Sequence, residues 1–376
     1  MKIQKKLNPY DWLIKSSEVQ IVKKIGSGAF GNVYFGKLRG TTEIAIKVAN
    51  PSTLSSSSPN NDSNESQIIE EFSRELSIWS SLKHPNIVLF IGACIDPTNS
   101  SIMIVSEYMQ NGTLNDAFKS KKIVLDWNTK IRISLQVSCA MAYLHSRTPP
   151  LLHRDLKGAN ILLSREMVAK VGDFGLSKMM SIKEGGGAGE IVAATQTIAG
   201  TPYWMSPEVI RGERYGTSAD VYSFGIILWQ ILREKSNPYE EDVFKVQYKV
   251  FQGMRPEIPS EIEAIGDYHL KLVGKKAKQE INRGGGSKKK TTRSNKKASI
   301  STSINDNNND NNTYYLNLKE ESEELEEQRR IEMEEMKEKI ARFIELMKES
   351  WDSDPNRRPS FIEIGRSLEE MFYDAE

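Results

Sequence analysis

Two short segments of the sequence carry acids and an amide at positions suited to chemistry. In the first, Leu151–Leu163, the side chains of Asp155 and Asn160 lie between two apolar runs. In the second, Asp173 follows Asn160 by thirteen residues. Carboxylate and amide oxygens suit proton acceptance and the binding of a hard cation such as Mg²⁺. Each residue taken alone could be a turn cap or a surface charge, but the ordered set favours a catalytic site.

These residue types meet the needs of phosphoryl transfer. That reaction depends on holding a hydroxyl in line and neutralising phosphate charge, with little covalent help from the protein. Asp155 is the candidate catalytic base that orients the hydroxyl, and Lys157 can stabilise the transferring phosphoryl group. Asn160 and Asp173 are candidate Mg²⁺ ligands. We therefore expect ATP as phosphoryl donor and Mg²⁺ as cofactor.

A glycine-rich segment, residues 26–31, lies far upstream of these acids. By itself the pattern is weak, because a dinucleotide-binding turn that opens a helix, or a turn without a ligand, has similar glycines. Here the strand-like run Val33–Gly36 follows, which predicts a hairpin tip whose backbone N–H groups close over phosphates. The candidate ATP-contacting residues of this hairpin are Ile25, Gly26, Ser27, Gly28, Ala29, Phe30, Gly31, Asn32 and Val33.

Lys47 ends the apolar alternation 44–46 and is predicted to point inward from the third strand. A buried ammonium group is costly unless it is paired, and Glu75 on the predicted helix Ile68–Leu82 is the candidate partner. Such an ion pair would hold the lysine against the α- and β-phosphates of ATP. The alternative, in which Glu75 belongs to a solvated helix face, stays open.

The pattern of apolar residues changes near residue 110. Before it, short apolar runs predict strands interrupted by one helix; after it, spacings of three and four predict helices. This indicates an α+β protein with a small β-rich lobe, a larger mainly helical lobe and a ligand cleft between them. The predicted strands are Val19–Ile25, Asn32–Leu38, Glu43–Ala49, Ile87–Cys94 and Ser101–Tyr108.

The ordered set of motifs resembles the eukaryotic protein kinase family. The resemblance covers residues 19–260 and 341–373, and it implies a bilobal kinase domain with an N-lobe, 19–109, and a C-lobe, 110–373. It places Glu107 and Met109 in the hinge that meets adenine, and the small Ser106 at the gatekeeper position. The residues that it adds to the ATP-binding set are Ala45, Ser106, Glu107, Met109 and Leu162.

The resemblance also implies three supporting contacts. Asp220 is expected on a helix that supports the catalytic loop, and Arg358 is expected to pair with Glu208. The segment Ser206–Glu208 departs from the family's usual Ala-Pro-Glu by one hydroxyl. An internal stack is expected in which an unusually large Trp79 joins Phe90, His153 and Phe174.

Features of the motifs also bear on substrate class. Lys157 and the pair Gly200-Thr201 resemble the Ser/Thr type, whereas Val88–Cys94 and Trp204-Met205 resemble the tyrosine kinase-like group, which is mostly Ser/Thr-specific. We therefore expect a Ser/Thr protein kinase acting on protein substrates. Dual or Tyr specificity is the alternative. A catalytically dead scaffold is disfavoured because Lys47, Asp155 and Asp173 are all present.

Regulation is predicted at the activation segment, Asp173–Glu208. Arg154 stands beside the catalytic Asp155, so a phosphate on Thr195 or Thr197 would have a cationic partner that could order the segment. The alternative is that the hydroxyls of Thr195 and Thr197 only keep the segment soluble and are not phosphorylated.

Composition bears on the possible partners of the protein and on its location in the cell. The 376-residue chain has a formal net charge of +1, so global charge points to no polyanion, and no nucleic-acid partner is expected. No apolar run reaches the roughly 18 residues of a membrane span. The longest, Phe224–Leu232, contains Gln230 and is predicted to be a buried helix. With no signal-like N-terminus and two cysteines, Cys94 and Cys139, predicted to be buried thiols, a cytoplasmic location is expected.

Three segments depart from the kinase-like pattern. Residues 1–18 form an N-terminal extension, and residues 51–66 are a Ser/Asn-rich loop. A charged, low-complexity insertion spans about residues 260–340, basic over Lys271–Lys297 and ending in a predicted helix, Glu320–Met347. Contact with acidic lipid or a protein partner is one reading of this insertion, and a solvated insertion is the other.

Overall fold

A computed structural model describes residues 12–28, 31–49, 76–95, 102–120, 123, 125–174, 178–179, 181–182, 191–192, 201–260 and 308–373. The chain divides into two compact units. The first comprises Met1–Glu257 and Glu345–Glu376, and the second comprises Ile258–Ile344.

The N-terminal part is a five-stranded antiparallel sheet in the order β1-β2-β3-β5-β4. Because side chains alternate along β3, Ile44 and Ile46 point into a fully buried cluster with Cys94 of β4. Lys47, the next residue along β3, points to the opposite face of the sheet. A helix, α1, described over residues 76–81, packs Leu76 and Trp79 into the core. The strands are β1 (Val19–Gly28), β2 (Gly31–Leu38), β3 (Thr42–Ala49), β4 (Phe90–Ile95) and β5 (Ile102–Glu107).

The N-terminal extension covers the open edge of β4. Leu13 forms a parallel bridge with Ala93, whose backbone N–H donates to Trp12 O (3.1 Å) and whose carbonyl accepts from Ile14 N (2.8 Å). A Cβ on Gly92 would lie 2.4 Å from Trp12 O, so this close approach requires glycine. The extension thereby satisfies backbone groups that an edge strand would otherwise leave unpaired.

The remainder of the described chain is mainly helical, as predicted. The helices are α2 (Leu114–Lys119), α3 (Trp127–His145), α4 (Pro207–Ile210), α5 (Thr217–Arg233), α6 (Val243–Phe251), α7 (Asn308–Ser350) and α8 (Phe361–Tyr373). Paired short strands lie among them: β6 (Leu151–Leu152), β7 (Ile161–Leu163), β8 (Ala169–Val171), β9 (Lys178–Met179), β10 (Ser181–Ile182) and β11 (Ile191–Val192). No described helix has both the length and the apolar character to cross a membrane.

Local sequence explains where these helices begin. The Thr113 hydroxyl accepts the backbone N–H of Asp116, whose carboxylate accepts the Thr113 N–H in return, so α2 opens with a capping box. The Asp126 carboxylate caps α3 by accepting from Thr129 N at 2.7 Å. The predicted buried helix over Phe224–Leu232 is confirmed as the centre of α5, in which every residue from Phe224 to Leu232 is buried.

The predicted helix Glu320–Met347 is confirmed, and α7 extends it at both ends.

The prediction that both thiols are buried is wrong for Cys139, which is exposed, whereas Cys94 is buried. Its neighbours Ser138 and Ala140 on α3 are fully buried, so an apolar stretch alone does not reveal which positions of a helix face solvent.

One buried ion pair ties the C-terminal elements together, as the resemblance implied. Arg358, just before α8, donates from both terminal nitrogens to Glu208 of α4 at 2.6 and 2.9 Å. The same guanidinium donates to Ser218 O at the start of α5 (2.9 Å) and to Asp352 O (2.8 Å). Burial by itself raises the pKa of the Glu208 carboxyl, but the hydrogen bonds and charge of Arg358 outweigh it and hold that pKa below its ordinary value.

Removing Arg358 should therefore destabilise the fold strongly. We predict that Arg358→Met lowers the free energy of unfolding by about 3–5 kcal/mol, because it leaves the Glu208 carboxylate buried and unpaired. Lys249→Met is the matched control: it breaks the exposed Lys249–Glu241 pair (2.7 Å), which should change stability by less than about 1 kcal/mol. Urea denaturation of both variants measures this; similar midpoints would contradict the role of the pair.

Candidate functional site

The loop between β6 and β7 is held by a buried carboxylate. Asp220, in the first turn of α5, is 2% exposed and accepts the backbone N–H groups of His153 and Arg154, each at 2.9 Å. His145 Nε2 lies 2.9 Å from the same carboxylate. Arg154 adopts a left-handed backbone conformation (φ 69°), which costs energy in a residue with a side chain. The contacts to Asp220 hold the loop in that conformation.

His153 joins this loop to the segment that carries Asp173. Its Nδ1 accepts the backbone N–H of Asp155 at 3.3 Å, and its Nε2 lies 3.1 Å from Gly172 O. The neutral tautomer with the proton on Nε2 satisfies both contacts. Gly172 N also donates to Asn160 O at 2.9 Å, so the two acidic segments are fixed side by side.

Asp155, Lys157 and Thr201 form a closed triangle of hydrogen bonds. Lys157 Nζ donates to Asp155 Oδ2 at 2.7 Å and to Thr201 Oγ1 at 2.6 Å. The Thr201 hydroxyl donates in turn to Asp155 Oδ1 at 2.7 Å. Asn160 Nδ2 donates to the Asp155 backbone and side chain at 2.7 and 3.0 Å, so its amide oxygen remains as the group able to bind a cation.

Lys47 and Asp173 meet across the cleft. Lys47 Nζ lies 2.8 Å from Asp173 Oδ1. Burial by itself raises the pKa of the Asp173 carboxyl, but the charge and hydrogen bond of Lys47, aided by the charge of Lys157, hold that pKa below its ordinary value. Asp173 is therefore ionised at neutral pH, the state in which a carboxylate can bind a metal ion. Its backbone φ of 61° is a second left-handed conformation at the site.

Phe174, next to Asp173, is 1% exposed and belongs to an aromatic column. Its ring centroid lies 5.4 Å from that of His153 and 5.8 Å from that of Trp79. Trp79 also contacts Phe90 at 5.5 Å, so the expected four-residue stack is present. The column continues to Trp12 of the N-terminal extension, 5.9 Å from Phe90. The large Trp79 is accommodated by a hydrogen bond from its indole N–H to Val88 O (2.9 Å).

The residues predicted to contact ATP lie mainly in the five-stranded sheet and the segment after it. The predicted hairpin is present, with Gly26, Ser27 and Gly28 of β1 opposite Val33, Asn32 and Gly31 of β2. Ala45 of β3 pairs with Ser106 of β5. Met109 is buried, and Leu162 of β7 is bridged to Thr113. Ala45 and Ser106, two of the positions expected to meet adenine, are therefore neighbours in the sheet.

Glu107 has a structural role that sequence reasoning missed. Its carboxylate accepts from Lys170 Nζ of β8 at 2.8 and 2.9 Å, and from Leu89 N at 2.6 Å. The pair links the end of β5 to the β7–β8 hairpin. Nothing in the sequence near Lys170 signals this partner, because the two residues are 63 positions apart.

Several predicted site residues cannot be placed. Ala29, Phe30, Glu75, Thr195 and Thr197 lie outside the described residues, as do the loop 51–66 and residues 261–307 of the insertion. The proposed Lys47–Glu75 pair is among the untested predictions. Thr201, by contrast, is a site residue that sequence reasoning used only as a mark of substrate class; its place in the Gly200-Thr201 signature was the available signal.

Comparisons with known proteins agree with this geometry. The sequence model of the family described as protein tyrosine and serine/threonine kinase matches residues 19–266. Two Dictyostelium discoideum relatives, named "Probable serine/threonine-protein kinase" drkA and drkB, are each 38% identical over 64% and 65% of this chain. The aligned parts make up only 34% and 32% of those relatives, so the chain spans about a third of their length.

The family match covers most of the chain, and it includes the glycine hairpin, Lys47, the catalytic loop and Asp173. The β-rich sheet followed by a mainly helical part is the bilobal architecture of that family. The chain therefore belongs to the protein tyrosine and serine/threonine kinase family.

Proposed function

We propose that this protein is an ATP-dependent protein kinase that transfers the γ-phosphate of ATP to Ser or Thr hydroxyls of protein substrates. The observation that carries the proposal is the Asp155–Lys157–Thr201 triangle, held beside the Lys47–Asp173 pair. One group can accept a proton there, while two cations and a metal ligand surround the place where phosphate charge would develop.

Asp155 is assigned as the base that orients the substrate hydroxyl and accepts its proton. Its Oδ2 accepts from Lys157 and Asn160, and its Oδ1 accepts from Thr201. Oδ1 therefore keeps a second lone pair for the incoming hydroxyl. The same donors fix the orientation of the carboxylate, so the base is pre-oriented. Lys157 Nζ, 2.7 Å from Asp155, is positioned to stabilise negative charge on the phosphoryl group during transfer.

The residues present fit Mg²⁺. Asp173 offers an ionised carboxylate and Asn160 an amide oxygen, the hard ligands that Mg²⁺ prefers. Mg²⁺ is usually held by one or two protein ligands together with substrate phosphates. When bound, the ion would neutralise charge on the β- and γ-phosphates.

Ser and Thr are the proposed acceptors for two reasons. Lys157 and Thr201, the residues that mark the Ser/Thr type, contact the same carboxylate. The similar Dictyostelium chains are also named serine/threonine-protein kinases. Dual or Tyr specificity is the competing hypothesis, and membership of the tyrosine kinase-like group stays a prediction, as do the cytoplasmic location and contacts of the insertion with a partner or lipid.

Replacing the proposed base tests this function. We predict that Asp155→Asn lowers kcat by a factor on the order of 10²–10⁴, because the amide cannot accept the hydroxyl proton. Transfer of γ-labelled phosphate from ATP to a generic protein substrate provides the rate, and phosphoamino-acid analysis of the product identifies the acceptor.

The matched control is Glu166→Gln, which neutralises an exposed acid that bonds Ser164 in the turn between β7 and β8. It should leave transfer unchanged. Label mainly on Tyr would refute the Ser/Thr assignment, and undiminished transfer by Asp155→Asn would refute the role of Asp155.

We also propose that phosphorylation of Thr195 or Thr197 activates the enzyme through Arg154. The support is the location of Arg154, whose backbone is fixed by Asp220 directly beside the catalytic Asp155. We predict that the double variant Thr195→Ala/Thr197→Ala has at least several-fold lower activity, because a phosphate could no longer pair with the guanidinium. Activity equal to that of the parent, in protein shown by mass spectrometry to be phosphorylated at neither variant position, would contradict this.

A further inference from the structure

Gln230 is the one polar residue in the apolar stretch Phe224–Leu232. It lies in α5 and is completely buried. An amide transferred from water to an apolar interior without hydrogen bonds is costly, so a buried glutamine in a core helix needs partners. The structure supplies four of them, and none belongs to α5 itself.

The amide of Gln230 is satisfied on both sides. Its Oε1 accepts from Trp204 Nε1 at 3.1 Å and from Gly158 N at 3.3 Å. Its Nε2 donates to Ser236 O at 2.6 Å and to Asn115 Oδ1 at 3.4 Å. Two donors face the oxygen, and two acceptors face the nitrogen, which fixes the orientation of the amide.

Two of these partners, Gly158 and Trp204, lie close in sequence to members of the Asp155–Lys157–Thr201 triangle. Gly158 follows Lys157 in the chain, so its bond to Gln230 restrains the backbone that carries the lysine. Trp204 closes the 3-10 turn Pro202–Trp204 and donates its backbone N–H to Thr201 O at 3.0 Å. The segments that present Lys157 and Thr201 are therefore both attached to one side-chain oxygen.

The space around Gly158 shows how closely the loop approaches this amide. A Cβ on Gly158 would lie 2.6 Å from Asn115 Oδ1 and 3.0 Å from Gln230 Oε1. Contacts this short would force the amides to move. Only glycine at position 158 therefore allows the loop to approach the side-chain amides of Asn115 and Gln230 this closely.

We propose that Gln230 is a positioning residue for phosphoryl transfer: its carboxamide fixes the distance between the catalytic loop and the turn that carries Thr201, and so holds Lys157 and Thr201 on Asp155. This inference rests on the proposed kinase function, since its consequence is a rate. Gln230 is completely buried and acts through its hydrogen bonds with Gly158 and Trp204.

The test compares two variants in the full chain. Gln230→Met keeps length and volume but removes both hydrogen-bonding groups, and Trp204→Phe keeps an aromatic ring but removes the indole N–H. Each should lower kcat, Gln230→Met on the order of tenfold or more, because small displacements of catalytic groups reduce rates steeply. The KM for ATP should change by less than about twofold, since the hinge and glycine hairpin are untouched.

A matched control lies on the adjacent residue. The Trp229 indole donates to Glu257 O at 2.7 Å in a partly buried hydrogen bond. Trp229→Phe therefore removes an indole hydrogen bond of the same helix that has no link to the triangle. Its Tm should fall about as much as that of Trp204→Phe, while its kcat should stay at the parent value. The double variant Gln230→Met/Trp204→Phe should be no slower than Gln230→Met alone, because both changes break one shared contact.

Hydrogen exchange supplies a readout that does not require activity. Peptides covering residues 156–160 and 201–205 should exchange faster in Gln230→Met and Trp204→Phe, but not in Trp229→Phe. Equal kcat in all variants, or equal loss in Trp229→Phe and Trp204→Phe, would overturn the proposal. Failure of the parent chain to transfer phosphate would instead count against the kinase function; unchanged exchange in Gln230→Met would then still refute the positioning role, and faster exchange would support it.

Discussion

The buried carboxylate of Asp220 is the constraint on which the rest of the site depends. A charge removed from water must find strong partners, and Asp220 finds them in two consecutive backbone N–H groups of the catalytic loop and in His145. Burial by itself raises the pKa of Asp220, but the hydrogen bond and charge of His145, with the Arg154 N–H, hold it below its ordinary value. The Asp220 carboxylate in turn holds the backbone of Arg154 in its left-handed conformation. This backbone conformation sets the direction in which the next side chain, that of Asp155, points.

Three further polar contacts also join segments that are distant in sequence. Arg358 and Glu208, 150 residues apart, join α4 to the segment before α8. Gln230 joins α5 to the catalytic loop and to the turn Pro202–Trp204. Lys47 joins β3 to Asp173 across 126 residues. Such contacts add little net stability compared with apolar packing, but each is costly to break, and that asymmetry favours one geometry over near alternatives.

The sequence was sufficient to predict features that are local or that recur as a fixed pattern. The strands and the buried helix α5 follow from the spacing of apolar residues. The resemblance to protein kinases correctly predicted the aromatic stack of Trp79 and the Arg358–Glu208 pair. Contacts that depend on how distant segments are brought together could not be predicted. Lys170 has no local signal for Glu107, and the Gly200-Thr201 signature marks Thr201 without indicating that its hydroxyl bonds Asp155. Exposure of Cys139 was missed because its position around α3 is set by packing rather than by its apolar neighbours.

The central claim is that Lys47, Asn160 and Asp173 converge on the phosphates and metal ion of one nucleotide. A crystal structure with Mg²⁺ and a non-hydrolysable ATP analogue tests it most directly. We expect oxygens of Asp173 and Asn160 at about 2.0–2.1 Å from the ion, and Lys47 Nζ within hydrogen-bonding distance of a phosphate oxygen. A nucleotide bound with its phosphates away from all three residues, while Lys47 and Asp173 remain paired with each other, would contradict the account.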